Sequence, residues 1–126
     1  MVEDRVTDGE RIAQLLASEL SGRSDGTLSR LSVVDADRDA EPSPDGTVAY
    51  RVTVDGERAG TVRIYPEGAD IRLQAGPDAL SVEQVVEAVR GPGLSAELTA
   101  DGGAILTVAY GAAVKRAVDT LVAGLD

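Results

Sequence analysis

Residues 47–54 alternate between large apolar side chains and small or polar ones, and this stretch constrains the fold more than any other part of the chain. The even positions carry Val48, Tyr50, Val52 and Val54, and the odd positions carry Thr47, Ala49, Arg51 and Thr53. Successive side chains of a strand point to opposite faces, so the pattern predicts an antiparallel strand that is buried on one face only. The rest of the chain has to supply the apolar layer that covers the even face.

The next apolar residues, Val62 and Ile64, keep the even parity. When two paired strands keep the same parity on their shared buried face, the loop between them has an odd number of residues. We therefore expect the three-residue loop Val54-Asp55-Gly56, with Gly56 in the left-handed conformation. Val48 then lies on the buried face together with the other even residues.

The parity becomes odd in the third strand of this meander, whose apolar residues are Ala69, Ile71 and Leu73. An even loop is required here, and a turn centred on Glu67-Gly68 satisfies the requirement. The resulting register sets Arg63 opposite Arg72 on the polar face, with Arg51 on the neighbouring strand. The meander therefore has one apolar and one polar face.

Three other segments have apolar residues at helical spacing. Capping boxes mark the start of the first two helices, with the pairs Thr7 and Glu10, and Ser81 and Gln84. Glycines mark the three ends, at Gly22, Gly91 and Gly124. Each segment has one apolar stripe, which predicts helices that pack on a single surface.

A short strand is expected at 31–35, and a hairpin turns at Ala100-Asp101-Gly102. The hairpin pairs the segment with Leu94, Ala96 and Leu98 with the segment that carries Leu106, Val108 and Tyr110. In chain order the elements read α-β-β-β-β-α-β-β-α. One-sided strands and one-sided helices predict a two-layer α+β fold, an antiparallel sheet of about six strands with the helices mainly on one face. We expect residues 1–126 to form a single domain.

The chain contains no histidine and no cysteine, which excludes much of catalytic chemistry. Without imidazole and thiol there is no Ser-His-Asp or Cys-His nucleophile system and no ordinary zinc or copper site. Lys115 is the only lysine, but its helical position next to Arg116 and four residues before Asp119 predicts a surface ion pair instead of a desolvated nucleophile.

The 22 acidic residues outnumber the 12 basic ones and give a formal net charge of −10 at pH 7. At molar salt the Debye length falls to about 3 Å, which screens the repulsion among surface carboxylates. In this composition and in its N-terminus, Met1-Val2-Glu3-Asp4-Arg5, the chain resembles the small acidic proteins of halophilic archaea. That resemblance implies a type of organism and not a role, and a high-GC actinobacterial origin would also explain the bias.

The segment 35–39 places Asp35, Asp37 and Asp39 at alternate positions. A strand would line up the three carboxylates at about 7 Å spacing, enough to hold Mg²⁺ or Ca²⁺. An EF-hand loop is excluded, because the sixth position from Asp35 is Ala40 instead of glycine and the twelfth is Gly46 instead of glutamate. The alternative interpretation is an acidic sheet edge that discourages aggregation.

Arg51, Arg63 and Arg72 form the second candidate site. Like charges directly opposite each other destabilise a sheet, so the expected opposition of Arg63 and Arg72 indicates an anionic group over this face. Carboxylates of a second subunit, a phosphate-bearing ligand and nucleic acid are all consistent with it. Salt screening with no ligand at all is the alternative.

These observations favour a non-enzymatic protein-interaction or assembly domain, a homodimer or a subunit of a larger assembly. A carboxylate-based enzyme or a small anionic-ligand binder that uses the arginine face is the second hypothesis, and a nucleic-acid-associated regulator is the third. No catalytic residue and no cofactor site is expected, and nucleic acid is disfavoured because aromatic platforms and a basic stripe are missing. Neither an export signal nor a membrane span is expected, which favours the cytoplasm.

Overall fold

Six strands and three helices occur in the parts of the chain that the computed structural model describes, residues 8–22, 30–75 and 80–125. The helices are α1 (Gly9–Gly22), α2 (Val82–Ala88) and α3 (Val114–Ala123). The strands are β1 (Leu31–Val34), β2 (Thr47–Val54), β3 (Glu57–Tyr65), β4 (Gly68–Leu73), β5 (Leu94–Leu98) and β6 (Ala104–Val108). A single 3-10 turn, Gly111–Ala113, precedes α3. The predicted order of elements is confirmed.

The strands form one antiparallel sheet in the order β1-β2-β3-β4-β6-β5. Strands that follow each other in the chain pair with each other up to β4. The chain then passes through α2 to β5 at the far edge, and β6 returns between β5 and β4. The edge strands of the sheet are therefore β1 and β5.

The hydrophobic core lies between the helices and one face of the sheet. Ile12, Leu16 and Leu121 contribute helix side chains that are at most 2% exposed, and they form one cluster with buried strand residues such as Val62 and Leu106. The spacing of Ile12 and Leu16 on α1 and the alternation along β3 place these residues on the faces that meet. The predicted two-layer α+β arrangement is confirmed.

Helix α1 begins at a carboxylate cap. The backbone N–H of Glu10 donates to Asp8 Oδ1 at 2.9 Å, and the N–H of Ile12 donates to the carbonyl oxygen of Asp8 at 2.9 Å. The predicted capping box involves Thr7, which lies outside the described residues. In α2 the predicted cap is present, since the N–H of Gln84 donates to Ser81 Oγ at 3.3 Å.

The hairpin between β2 and β3 differs from the prediction. Its loop has two residues, Asp55 and Gly56, with φ of +51° and +85°, and Val54 pairs directly with Glu57. Adjacent left-handed residues are typical of the tight turns that match the twist of paired strands. A two-residue loop leaves the apolar residues of β2 and β3 one residue short of sharing the buried face. Ala59 supplies that residue, because it is skipped in the pairing and forms a β-bulge in β3.

A second irregularity in β2 reverses the predicted orientation of Val48. Val48 pairs with Arg63 and Tyr50 pairs with Val62, so Ala49 between them is bulged. The carbonyl oxygen of Ala49 accepts a hydrogen bond from the N–H of Asp37 at 2.8 Å, which stabilises the bulge. As a result Ala49 is buried and Val48 is 36% exposed on the opposite face.

Tyr50 joins the two layers. Its side chain is buried, and its hydroxyl donates to the carbonyl oxygen of Ala13 in α1 at 2.8 Å. Burial raises the pKa of this phenol well above its ordinary value near 10. The hydrogen bond fixes the position of α1 against the second strand of the sheet.

Candidate interaction surface

The face of the sheet opposite the helices, called here the open face, carries one continuous row of side chains across all six strands. Backbone pairing places Val34, Arg51, Thr61, Arg72, Ile105 and Glu97 side by side in that order. The side chains of Arg51 and Arg72 are 34% and 46% exposed. Arg51 lies on β2 and Arg72 on β4, on either side of Thr61 on β3. Since neighbouring strands lie about 4.8 Å apart, the two arginine backbones are roughly 10 Å apart.

A second row on the open face contains the remaining candidate arginine. Val48, Arg63, Asp70, Thr107 and Ser95 follow each other across β2 to β5. Arg63 Nη2 donates to the carbonyl oxygens of Asp45 and Gly46 at 2.6 and 2.9 Å. Arg63 therefore holds the loop before β2 against the sheet and is only half exposed.

The predicted opposition of Arg63 and Arg72 is wrong. Arg63 lies opposite Asp70, and Arg72 lies opposite Thr61. The turn between β3 and β4 consists of Pro66 and Glu67 instead of Glu67-Gly68, because Tyr65 pairs with Gly68. Proline has the backbone angle that the first turn position needs and no N–H for a ladder position, which favours this register.

Because Arg63 and Arg72 do not oppose each other, like-charge repulsion gives no indication of an anion over the open face. Opposite charges now face each other across β3 and β4 at Arg63 and Asp70. Both turns have two residues and therefore the same parity, so the apolar pattern could not distinguish the two registers.

Asp70 is a buried carboxylate that sequence reasoning did not single out. Its residue is 6% exposed, Tyr65 Oη donates to its Oδ2 at 2.7 Å, and Arg72 Nε lies 4.0 Å from its Oδ1. Only Oδ2 is hydrogen-bonded among the described residues, whereas the buried Oδ1 has no hydrogen-bond partner there. The sequence signal was the proximity of an acidic residue to two arginines, but using it required the correct register.

The aspartates of segment 35–39 do not form the row that a longer first strand would have given. β1 ends at Val34, Asp35 has a left-handed backbone with φ of +55°, and Asp37 Oδ1 accepts from the N–H of Asp39 at 2.9 Å. Asp35 instead lies 3.8 Å from Arg51, measured from Oδ2 to Nη1. Across 8–22, 30–75 and 80–125, no three acidic residues are grouped as ligands of one metal ion.

A cavity of about 400 Å³ lies on the helix side of the sheet, and none of the three candidate arginines lines it. Small residues of α1, of the 36–40 segment and of β2 form much of its wall, among them Ala13, Ala17, Ala40 and Ala49. Glu10 and Arg38 contribute charged groups to its lining. The cavity therefore has room for a small apolar group but does not bring the candidate arginines together.

Lys115 is exposed on α3 and forms no ion pair with any residue that the structure describes, so the expected pair with Asp119 is not seen. Within the described helices, none combines the length and apolarity that a membrane crossing needs.

The fold and the open face define a class of small, two-layer α+β proteins in which helices cover a single side of an antiparallel sheet. All 126 residues, 1–126, match a family of unknown function, DUF7993, and the chain belongs to that family. No curated protein and no solved structure shows significant similarity to the chain.

Proposed function

We propose that this chain is a non-enzymatic protein-interaction or assembly domain, and that the open face is its binding surface. One observation carries the proposal: helices cover one face of the sheet, whereas the other face presents an uncovered row across all six strands. A row of exposed and half-exposed side chains that crosses six strands suits another chain better than a small substrate.

The composition of the open face supports docking. Its exposed or half-exposed side chains combine aliphatic groups with two arginines, namely Val34, Val48, Ile105, Arg51 and Arg72. Interface centres are enriched in arginine and depleted in lysine and carboxylates relative to the rest of a surface. On a chain of net charge −10, these arginines favour a partner surface that carries carboxylates.

Catalysis by the buried carboxylate is less well supported. Asp70 Oδ2 accepts from Tyr65, its Oδ1 lies beside Arg72, and the residue is 6% exposed. A general base has to come within hydrogen-bond distance of a substrate proton, which this degree of covering opposes. Asp70 therefore lies against Tyr65 and Arg72, covered from a substrate.

The proposed setting is a cytoplasm with molar salt. The support is the charge of −10 together with the compositional resemblance to halophilic proteins. Under such conditions long-range attraction is screened, so binding at the open face depends on short-range contacts of Arg51 and Arg72.

The test compares the wild type with Arg51→Glu/Arg72→Glu and with the control Lys115→Glu/Arg11→Glu, which makes the same charge change on exposed helix positions. Proteins retained from an extract of the source cells and the solution mass are measured for all three. We expect the control to keep the wild-type partners and the open-face variant to lose at least about tenfold in retention. Retention and mass that are the same in all three proteins would refute the proposal.

A further inference from the structure

The edge strand β5 directs its backbone groups toward β6 only at alternate residues. At one end of β5 the N–H of Thr99 donates to the carbonyl oxygen of Gly103 at 2.9 Å. At the other end the N–H of Ala109 donates to the carbonyl oxygen of Gly93 at 2.8 Å. Hydrogen-bonded pairs of an antiparallel ladder recur at every second residue, so Ser95 and Glu97 also direct their backbone groups toward β6. The N–H and C=O groups of Leu94, Ala96 and Leu98 therefore point outward, away from the sheet.

We infer that β5 pairs in antiparallel fashion with β5 of a second copy of this chain, about a twofold axis at Ala96, which joins the two sheets into one. In this register Ala96 lies opposite the partner's Ala96, and Leu94 lies opposite the partner's Leu98. These are the residues whose backbone groups point outward, so each of these pairs exchanges two hydrogen bonds. The inference does not depend on the proposed use of the open face.

The side chains of β5 complement themselves in this register. Leu98 is 54% exposed although it projects from the helix-covered face, beside buried Ala104 of β6. Pairing covers it with the partner's Leu94. Glu97, the only charged residue of the strand, lies opposite the partner's Ser95, so no like charges oppose each other across the twofold axis.

The opposite edge of the sheet is less suited to such pairing. β1 has four residues, and its outward-pointing backbone groups belong to Leu31 and Val33, because the N–H of Asp55 already donates to Arg30 at 2.9 Å. After the left-handed Asp35 the chain stays beside β2 as an irregular segment, since the N–H of Asp37 donates to the carbonyl oxygen of Ala49 at 2.8 Å. Very short edge strands discourage pairing, and β1 directs the backbone groups of two residues outward whereas β5 directs those of three.

The interface is small, so a dimer that depends on concentration is expected. Two copies of net charge −10 repel each other in dilute buffer, and added KCl screens that repulsion. The dimer should therefore become tighter with increasing salt concentration.

Cysteine cross-linking tests the register, because the chain has no native cysteine. Position 95 and the partner's position 97 form a non-hydrogen-bonded pair, whose Cα atoms lie about 4.5 Å apart, a separation that a disulfide spans. The variant Ser95→Cys/Glu97→Cys should form a covalent dimer under mild oxidation. The single variants Ser95→Cys and Glu97→Cys are the controls and should stay largely uncross-linked, because each thiol lies two positions out of register with its own copy.

A charge exchange at the same position provides the second measurement. Ser95→Lys creates an attractive pair with the partner's Glu97, and Ser95→Glu creates a repulsive one. By sedimentation equilibrium at the lowest KCl concentration that keeps the chain folded, we expect the dimer Kd to fall at least about threefold in the first variant and to rise at least about threefold in the second. Both differences should shrink in molar KCl.

Three outcomes would overturn the inference. The first is a wild-type monomer at about 1 mM in both low and molar KCl. The second is equal cross-linking of the double and single cysteine variants. The third is a dimer that responds in the same direction to Ser95→Lys and Ser95→Glu. A dimer that depends on Arg51 and Arg72 and not on β5 would support the open face while rejecting this edge.

Discussion

At the scale of single residues, Tyr50 does more than its apolar position in β2 indicates. The pattern predicted a buried side chain, and the structure adds a hydroxyl that donates to Ala13 in α1. A buried phenol needs such a partner, since an unsatisfied hydroxyl in the core costs free energy. Tyr50 therefore stabilises the contact between the two layers through both packing and a hydrogen bond.

Replacement of this hydroxyl should destabilise the protein at neutral pH, and the loss should shrink as the pH rises above the unfolded value near 10. Tyr50→Phe should lower the free energy of unfolding by about 1 kcal/mol near pH 7, because it removes one buried hydrogen bond. Burial raises the pKa of the folded phenol, so its contribution is fully present below the unfolded value near 10 and is lost as the pH rises toward the folded value. Wild type should thus lose its advantage over the variant near pH 11.

Urea unfolding of both proteins from pH 7 to pH 11 measures this difference. Parallel pH profiles for wild type and Tyr50→Phe would contradict the burial of this phenol.

Asp70 shows what residue-level reasoning from sequence could not reach. The sequence displays an acidic residue two positions from Arg72 and seven from Arg63. Whether Arg63 lies opposite Asp70 or Arg72 depends on a register shift of two residues, which changes no side chain from one face to the other. The candidate arginines were therefore placed on the correct face but given the wrong neighbours.

At the scale of elements, β2 and β3 depart from ideal alternation at two bulges. Ala49 and Ala59 are skipped in the pairing, which keeps Tyr50, Val52, Val62 and Ile64 on the buried face although the loop has only two residues. Alanine is small enough to occupy a bulge next to the core without displacing larger side chains. The alternation of apolar residues predicted one extra residue between the paired segments of β2 and β3. It did not predict whether that residue lies in the loop or in a strand.

Two chemically identical substitutions test the bulge at Ala49. Val48→Thr should change the free energy of unfolding by less than about 0.5 kcal/mol, because this bulge leaves Val48 exposed. Val52→Thr, the matched control on the same strand, should cost about 2 kcal/mol, because it buries a hydroxyl where the side chain is 3% exposed. Strict alternation along β2 predicts similar losses for both, and equal losses in chemical denaturation would exclude the bulge.

The elements themselves were largely predictable, for physical reasons. Helix spacing and strand alternation report which face is buried, and caps such as Ser81 mark where a helix begins. The strand order with β6 between β4 and β5 was not predictable, because it depends on how α2 packs over the sheet and not on any local pattern.

At the scale of the whole molecule, charge is the dominant feature. A net charge of −10 on 126 residues favours expansion of the chain in dilute buffer, and screening at high salt removes that penalty. The described ion pairs include Arg30 with Asp55 at 2.8 Å, an exposed pair that does little to offset the excess of carboxylates.

Stability should therefore increase with salt. Between about 0.1 and 2 M KCl, we expect the midpoint of thermal unfolding to rise by roughly 5 °C or more. The variant Glu83→Gln/Glu87→Gln, which neutralises two exposed carboxylates of α2, should show a smaller rise. Circular dichroism melts of both proteins measure the effect, and a midpoint that does not change with KCl would contradict the proposed setting of molar salt.

Helices cover one face of the sheet and leave the opposite face open. Thr61→Cys and Val62→Cys introduce single thiols at adjacent positions of β3, one in the row between Arg51 and Arg72 and the other fully buried beneath the helices. The rate of thiol modification in the folded protein tests the claim most directly. We expect the thiol of Thr61→Cys to react at least about a hundredfold faster than that of Val62→Cys, which reacts only after local opening. Equal rates, or faster reaction of the Val62→Cys variant, would contradict the account.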